Sequence, residues 1–115
     1  MEILRPELQI MQAALLVRSA RAELLAGNVA NADTPGYLAR DLKFDDALEQ
    51  AVNNGGSAGS SSGAVTAREN LRFDHNDIDV GEQLAKSFEN SVGYVATLKL
   101  YGNSMGRLLT ATSSN

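Results

Sequence analysis

Apolar residues recur in alternating steps of four and three near both ends of this chain. In the first stretch the spacing runs from Leu4 to Val29 and is interrupted once, by Arg18. Side chains with this heptad period fall on one face of an α-helix and form a seam that suits another helix. The spacing predicts a long N-terminal helix within residues 1–32. Its seam residues are Leu8, Met11, Leu15 and Leu25.

The second stretch occupies residues 80–115 and predicts a long C-terminal helix with a polar tail. Asp79 precedes Glu82 by three residues, which is the spacing of a capping box with aspartate as the capping residue. The helix is therefore expected to begin at Val80. Its seam residues are Leu84, Phe88, Val95, Leu98 and Met105.

Two features of these helices have more than one interpretation. Arg18 either lays its aliphatic stem on apolar surface with its charge in solvent, or sets the register or pairs with a partner at an assembly interface. Interior glycine weakens a helix by about 1 kcal/mol relative to alanine, yet the second helix contains Gly93, Gly102 and Gly106. We interpret Gly102 and Gly106 as positions of tight packing.

The segment between the helices, residues 33–79, is polar and carries nine of the fourteen acidic residues. Pro35 and Gly36 predict a type II turn, because proline presets the first central position and glycine supplies the positive φ of the second. A short extended segment over residues 37–44 and a short helix over residues 45–52 follow. Residues 53–63 are Gly, Ser or Asn at ten of eleven positions, which predicts a flexible linker.

The expected fold is mainly α and forms one domain. Two long terminal helices form a coiled-coil-like antiparallel pair, joined by a polar, partly disordered middle segment with little β structure. Matching seams should meet each other or meet copies of themselves. Because the apolar faces are wide, we also expect neighbouring subunits to supply further helices.

Composition excludes several functional classes. The chain has no cysteine, so it offers no disulfide scaffold and no thiol nucleophile. A net charge of −4 argues against nucleic-acid binding, which needs surplus positive charge. The acidic run at residues 74–79 lacks the glycine and the final glutamate of a calcium loop. We predict no enzyme activity, no catalytic, cofactor-binding or metal-binding residues, and no small-molecule substrate.

The residues around the predicted turn resemble a known signature. Residues 28–37 read Asn-Val-Ala-Asn-Ala-Asp-Thr-Pro-Gly-Tyr, with Ala-Arg-Asp at residues 39–41 and Phe44 behind them. This run resembles the bacterial flagellar axial proteins, which are the rod, hook and hook-associated subunits, and most of all the proximal rod subunits of the basal body. The resemblance is strong over residues 8–46, weaker over residues 77–109 and absent between them.

The resemblance implies a structural subunit of the periplasm-spanning rod that assembles through its terminal helices and transmits torque. Its partners would be copies of itself, other rod proteins, and membrane-ring and rod-adaptor proteins at the rod base. Export would use the flagellar type III apparatus without a cleaved signal peptide. The alternatives are another rod subunit, or a small helical export chaperone or adaptor. The assembly motif carried over is Asn28, Asn31, Thr34, Pro35, Gly36 and Tyr37.

Overall fold

Three helices and two short strands make up the structure, a computed structural model that describes residues 6–53, 71–73 and 78–113. The predicted Gly/Ser-rich linker lies outside the described residues beyond its first position, as does most of the acidic run before the second long helix. In chain order the elements are α1 (Pro6–Ala30), β1 (Arg40–Leu42), α2 (Phe44–Asn53), β2 (Leu71–Phe73) and α3 (Val80–Ser113). The mainly α fold with little β structure is confirmed.

The two long helices run antiparallel along each other, as predicted. The Asn28 side chain near the end of α1 bonds to Gln83 near the start of α3. Closer to the start of α1, Gln12 bonds to Tyr101, which lies further along α3. Residues further along α3 therefore pair with residues earlier in α1, and the contact extends over most of the length of α1.

The helix α3 begins at a recognisable capping residue and extends further than the sequence predicts. The Glu82 N–H donates to Asp79 Oδ1 at 3.2 Å, and the Gln83 N–H donates to the Asp79 carbonyl at 3.0 Å. Asp79 is thus the N-cap, as the sequence predicted. The helix continues to Ser113, into the stretch expected to form a polar tail, because none of those residues forces a break. Among the described residues, no helix is long and apolar enough to cross a membrane.

The apolar core lies between α1 and α2 and beneath β1. The helix α2 begins at Phe44, one residue before the predicted position. The Lys43 carbonyl accepts a hydrogen bond from the Ala47 N–H across the first turn. The strand β1 pairs with β2 in antiparallel register, Leu42 opposite Leu71. Small side chains at the contact allow α2 to lie close to α1. The core residues are Ala13, Val17, Leu42, Ala47 and Ala51.

Candidate assembly interface

A tight turn reverses the chain just after α1. The Tyr37 N–H donates to the Thr34 carbonyl at 3.2 Å, and Gly36, between them, has a φ of 78°. A positive φ at the second central position, after Pro35, defines a type II turn, so that prediction is confirmed. Asn31 ends the helix by donating from Nδ2 to the Gly27 carbonyl at 2.9 Å.

Asn28 connects three elements from a fully buried position. Its Nδ2 donates to the Arg40 carbonyl at 2.7 Å and to Gln83 Oε1 at 2.8 Å, while its Oδ1 accepts from the Arg40 N–H at 2.9 Å. The amide therefore pairs with the β1 backbone as a neighbouring strand would. It also holds the start of α3, and Gln83 is itself buried. This is why asparagine is needed at position 28: both its donor and its acceptor are used.

A buried ion cluster lies beside Asn28. Arg21 Nε donates to Asp41 Oδ1 at 2.8 Å and Arg21 Nη2 donates to Asp41 Oδ2 at 3.0 Å, in the two-pronged geometry typical of arginine and carboxylate. Side-chain exposure is 14% for Arg21 and 8% for Asp41. Lys86 of α3 approaches Asp41 at 3.9 Å, and the Leu42 N–H donates to Asp41 Oδ1 at 2.8 Å. The cluster thus links α1, β1 and α3.

The Asp41 cluster predicts how stability depends on pH. Burial alone raises the pKa of Asp41, but the hydrogen bonds from Arg21 and the Leu42 N–H, with the charges of Arg21 and Lys86, lower it below 3.8 overall. The carboxyl of Asp41 in the unfolded chain titrates at pH 3.8, so the cluster stabilises the fold fully above that pH. Its contribution is lost as the pH falls through the lower pKa of the folded state. We expect the free energy of unfolding to fall less steeply below about pH 4 in Asp41→Asn than in the wild type. Urea titrations at several pH values measure this, and equal slopes would contradict it.

The face of α3 that packs against α1 is mainly polar. Gln83 and Asn90 are the buried side chains that α3 contributes, and Tyr101 is half-buried on the same face. Gln83 accepts a hydrogen bond from Asn28, and the Tyr101 hydroxyl accepts one from Gln12 Nε2 at 3.3 Å. Steps of seven and eleven residues keep these side chains on one side of the helix. We call this side the inner face.

The predicted seam of α3 lies away from α1. Leu84 follows Gln83 of the inner face by one residue, and one residue of a 3.6-residue turn spans about 100° around the helix. Four of the five seam residues are exposed, and Met105 is half-buried. Six large apolar side chains, 47% to 72% exposed, form what we call the outer stripe. They are Leu84, Phe88, Val92, Val95, Leu98 and Leu109.

The two predicted seams therefore do not meet each other within the chain. On α1, Leu8 and Leu25 are fully buried, while Met11 and Leu15 are half-buried. The α3 seam faces outward because hydrogen bonds satisfy the polar inner face, which makes burial of that face inexpensive. Contact between the α3 seam and a partner stays a prediction.

Arg18 occupies the junction of all three helices. Its guanidinium carbon lies 4.3 Å from the centre of the Phe44 ring, and its Nη1 donates to Asn90 Oδ1 at 3.4 Å. Asn90 Nδ2 in turn donates to the Arg18 carbonyl at 2.9 Å. Gly93 makes room for this arrangement, since a Cβ there would lie 2.4 Å from the guanidinium carbon. Within the chain, Gly93 is thus a position of close packing.

The predicted roles of Gly102 and Gly106 receive no support from the described residues. A Cβ at either position would meet none of their atoms within 4 Å, apart from the adjoining helix backbone. Tight packing at those two positions stays a prediction.

Several residues that organise this region were not predicted from the sequence. The apolar seam of the helix does not indicate Gln83 and Asn90, because both residues are polar. A signal was present: the two residues stand seven apart and share one face. Asp41 and Arg21 had no such signal, since their pairing depends on how the turn folds β1 back onto α1.

The chain is similar to known flagellar proteins over most of its length. No model of a known protein family matches the chain. It is 36% identical to the flagellar basal body rod protein FlgB of Aeromonas hydrophila over 89% of each chain. It is 30% identical to the FlgB of Escherichia coli K12 over 94% of each chain, and 50% identical to that of Salmonella typhimurium over 42% of this chain and 35% of the relative. The extent of these matches, together with the signature at residues 28–41, which form the joint after α1, shows that the chain belongs to the FlgB family of flagellar basal body rod proteins.

Proposed function

We propose that the chain is a structural subunit of the proximal rod, which assembles through its terminal helices and transmits torque. The observation that carries the proposal is the outer stripe. Contiguous exposed apolar surface of this kind marks interaction sites in soluble proteins. Covering it would contribute roughly 1 kcal/mol per half-exposed side chain, since complete burial of such a residue is worth about 1.5–3 kcal/mol.

The joint after α1 supports the second half of the proposal. Asn28 and the Asp41 cluster tie α1, β1 and α3 together at one end of the helix pair. Torque must pass through a subunit without changing its shape, and buried hydrogen-bonded networks are rigid. In this proposal Asn28, Asn31 and the Thr34–Tyr37 turn fix the angle between the helix pair and the middle segment.

The partners proposed for the chain are copies of itself and other rod proteins, with membrane-ring and rod-adaptor proteins at the rod base. Export would proceed through the flagellar type III apparatus without a cleaved signal peptide. The relatives' names, which place those proteins in the basal body rod, support these partners and this location.

A charge placed in the outer stripe tests the proposal. Val95→Glu leaves the isolated chain folded, because Val95 is 53% exposed and has no role in the core. A buried, unpaired carboxylate at an interface would cost roughly 3 kcal/mol or more, about a hundredfold in incorporation. We therefore expect the variant to be lost from purified basal bodies and the cells to stop swimming, in a strain without the wild-type copy.

Asn53→Glu is the matched control, since Asn53 is exposed on α2 and lies outside the stripe. It introduces the same charge and should support normal swimming. Normal swimming with Val95→Glu would contradict the proposal. A protein that is absent from wild-type basal bodies and stays in the cytoplasm would instead identify an export chaperone or adaptor.

A further inference from the structure

We propose that Arg18 selects which face of α3 packs inside the chain and so keeps the outer stripe available for assembly. The inference rests on the proposed function for the use of the stripe, but the selection itself is a property of the isolated chain. Arg18 is the single interruption in the apolar seam of α1. That interruption lies against α3 at Asn90.

The Arg18 side chain needs polar or aromatic neighbours. Among the described residues, its buried Nε has no hydrogen-bond partner and its guanidinium forms no ion pair with a carboxylate. The guanidinium is held by the Phe44 ring and by Asn90 Oδ1. A cation in such a position is tolerated only next to polar or aromatic groups, because burial of an unpaired charge is costly.

The two faces that α3 can turn toward Arg18 differ in the groups they present. The inner face presents Asn90, which accepts from the Arg18 side chain and donates to its carbonyl, and Gly93, which leaves space for the guanidinium. The outer stripe would present Phe88 and Val95 at the same level, and neither offers a polar atom. Turning the stripe inward would therefore strip Arg18 of its contact with Asn90 while burying it further.

Removing Arg18 should change which face α3 turns toward α1. With an apolar residue at position 18, the α1 seam becomes continuous from Leu8 to Leu25. Hydrophobic burial then favours the outer stripe over the polar inner face. The chain would partly cover its own assembly surface, so Arg18 acts as a positioning residue through α3.

Thiol labelling of the isolated chain tests the selection, because the natural sequence contains no cysteine. A thiol introduced by Val95→Cys reports on the outer stripe, and one introduced by Asn53→Cys reports on exposed surface of α2. We expect Arg18→Leu to slow labelling at position 95 by about threefold or more, the change that results when the turned helix is about twice as populated as the original arrangement. Labelling at position 53 should be unchanged.

Arg18→Lys separates charge from packing. It keeps the cation and should leave labelling at position 95 at the wild-type rate. Unchanged labelling at position 95 in Arg18→Leu would overturn the proposal. Faster labelling there would also overturn it, since Arg18 would then merely attach α3 to α1.

A second measurement does not depend on how well Arg18→Leu packs. In the Arg18→Leu background, Gly93→Ala should lower the equilibrium constant for unfolding about fivefold, as alanine does in a helix. In the wild-type background the gain should be smaller by about threefold or more, because the guanidinium must leave its contacts with Phe44 and Asn90 to make room for the new Cβ. Gly102→Ala, where a Cβ meets no other described side chain, should be stabilising by the same amount in both backgrounds. Equal effects of Gly93→Ala in both backgrounds would overturn the proposal.

These outcomes are independent of the rod. If Val95→Glu still assembles while Arg18→Leu covers the stripe, the proposed function fails and the selection by Arg18 stands. If Val95→Glu blocks assembly while labelling never responds to position 18, the selection by Arg18 fails alone.

Discussion

Replacing Asp41 with alanine lowers the free energy of unfolding by about 3 kcal/mol, the low end of the range for removing one partner of a buried pair. The loss is large because Arg21, only 14% exposed, keeps its charge with no carboxylate to receive its two hydrogen bonds. Lys86 loses its contact with the same group. Urea unfolding followed by circular dichroism measures the effect.

The matched control is Asp46→Ala in the same segment. Asp46 also pairs with a cation, Lys43, at 3.6 Å, but both side chains are at least half exposed. Solvent screens such pairs, and their loss typically costs less than about 0.5 kcal/mol. Equal effects of Asp41→Ala and Asp46→Ala would show that the buried cluster is not a principal tie between α1, β1 and α3.

Replacing Asn28 with alanine is expected to cost about 3 kcal/mol or more. The change leaves the Arg40 N–H and carbonyl and the Gln83 side chain without their shared partner. Each buried polar group that loses its hydrogen bond costs about 1–3 kcal/mol. We also expect amide hydrogen exchange at the start of α3 to accelerate, because the contact that fixes Gln83 is lost.

Asn103→Ala provides the comparison for Asn28, since Asn103 is exposed on α3. A surface change of this kind should alter stability by no more than about 0.5 kcal/mol. If Asn28→Ala is as mild as Asn103→Ala, or if exchange at Gln83 and its neighbours does not change, the account of the joint is wrong.

The elements of the fold that are determined by residues close together in the sequence could be predicted. Heptad spacing located both long helices, Asp79 marked the start of α3, and Pro35 with Gly36 specified a type II turn. Each of these signals acts over a few residues, so the local sequence is sufficient to detect it.

The rotation of α3 could not be predicted in the same way. A seam of apolar residues indicates which face of a helix favours burial, but not whether the surface that buries it belongs to the same chain. Here the polar inner face packs inside because Gln83 and Asn90 find partners on α1 that are 55 and 72 residues away in sequence. Such pairings follow from the three-dimensional arrangement and leave little trace in local spacing.

The assembly motif contains residues of both kinds, some determined by local backbone preferences and others by contacts with distant parts of the chain. The turn residues follow from known backbone preferences, whereas the role of Asn28 depends on Arg40 and Gln83 lying on either side of it. The buried position of Asp41 is of the second kind, since its partners come from α1 and α3. Sequence reasoning therefore located the joint, and the structure explains how it is held.

The most direct test of the central claim is to measure whether the outer stripe is covered in the assembled rod. A chain carrying Val95→Cys, as the sole thiol in the protein, is labelled as free monomer and within purified basal bodies. The account predicts that the protein is present in basal bodies and that its thiol reacts there at least about tenfold more slowly, as expected when a surface opens to reagent less than a tenth of the time. Dissociation of the basal bodies should restore the monomer rate. Equal rates in the monomer and in basal bodies, or absence of the protein from basal bodies, would contradict the account.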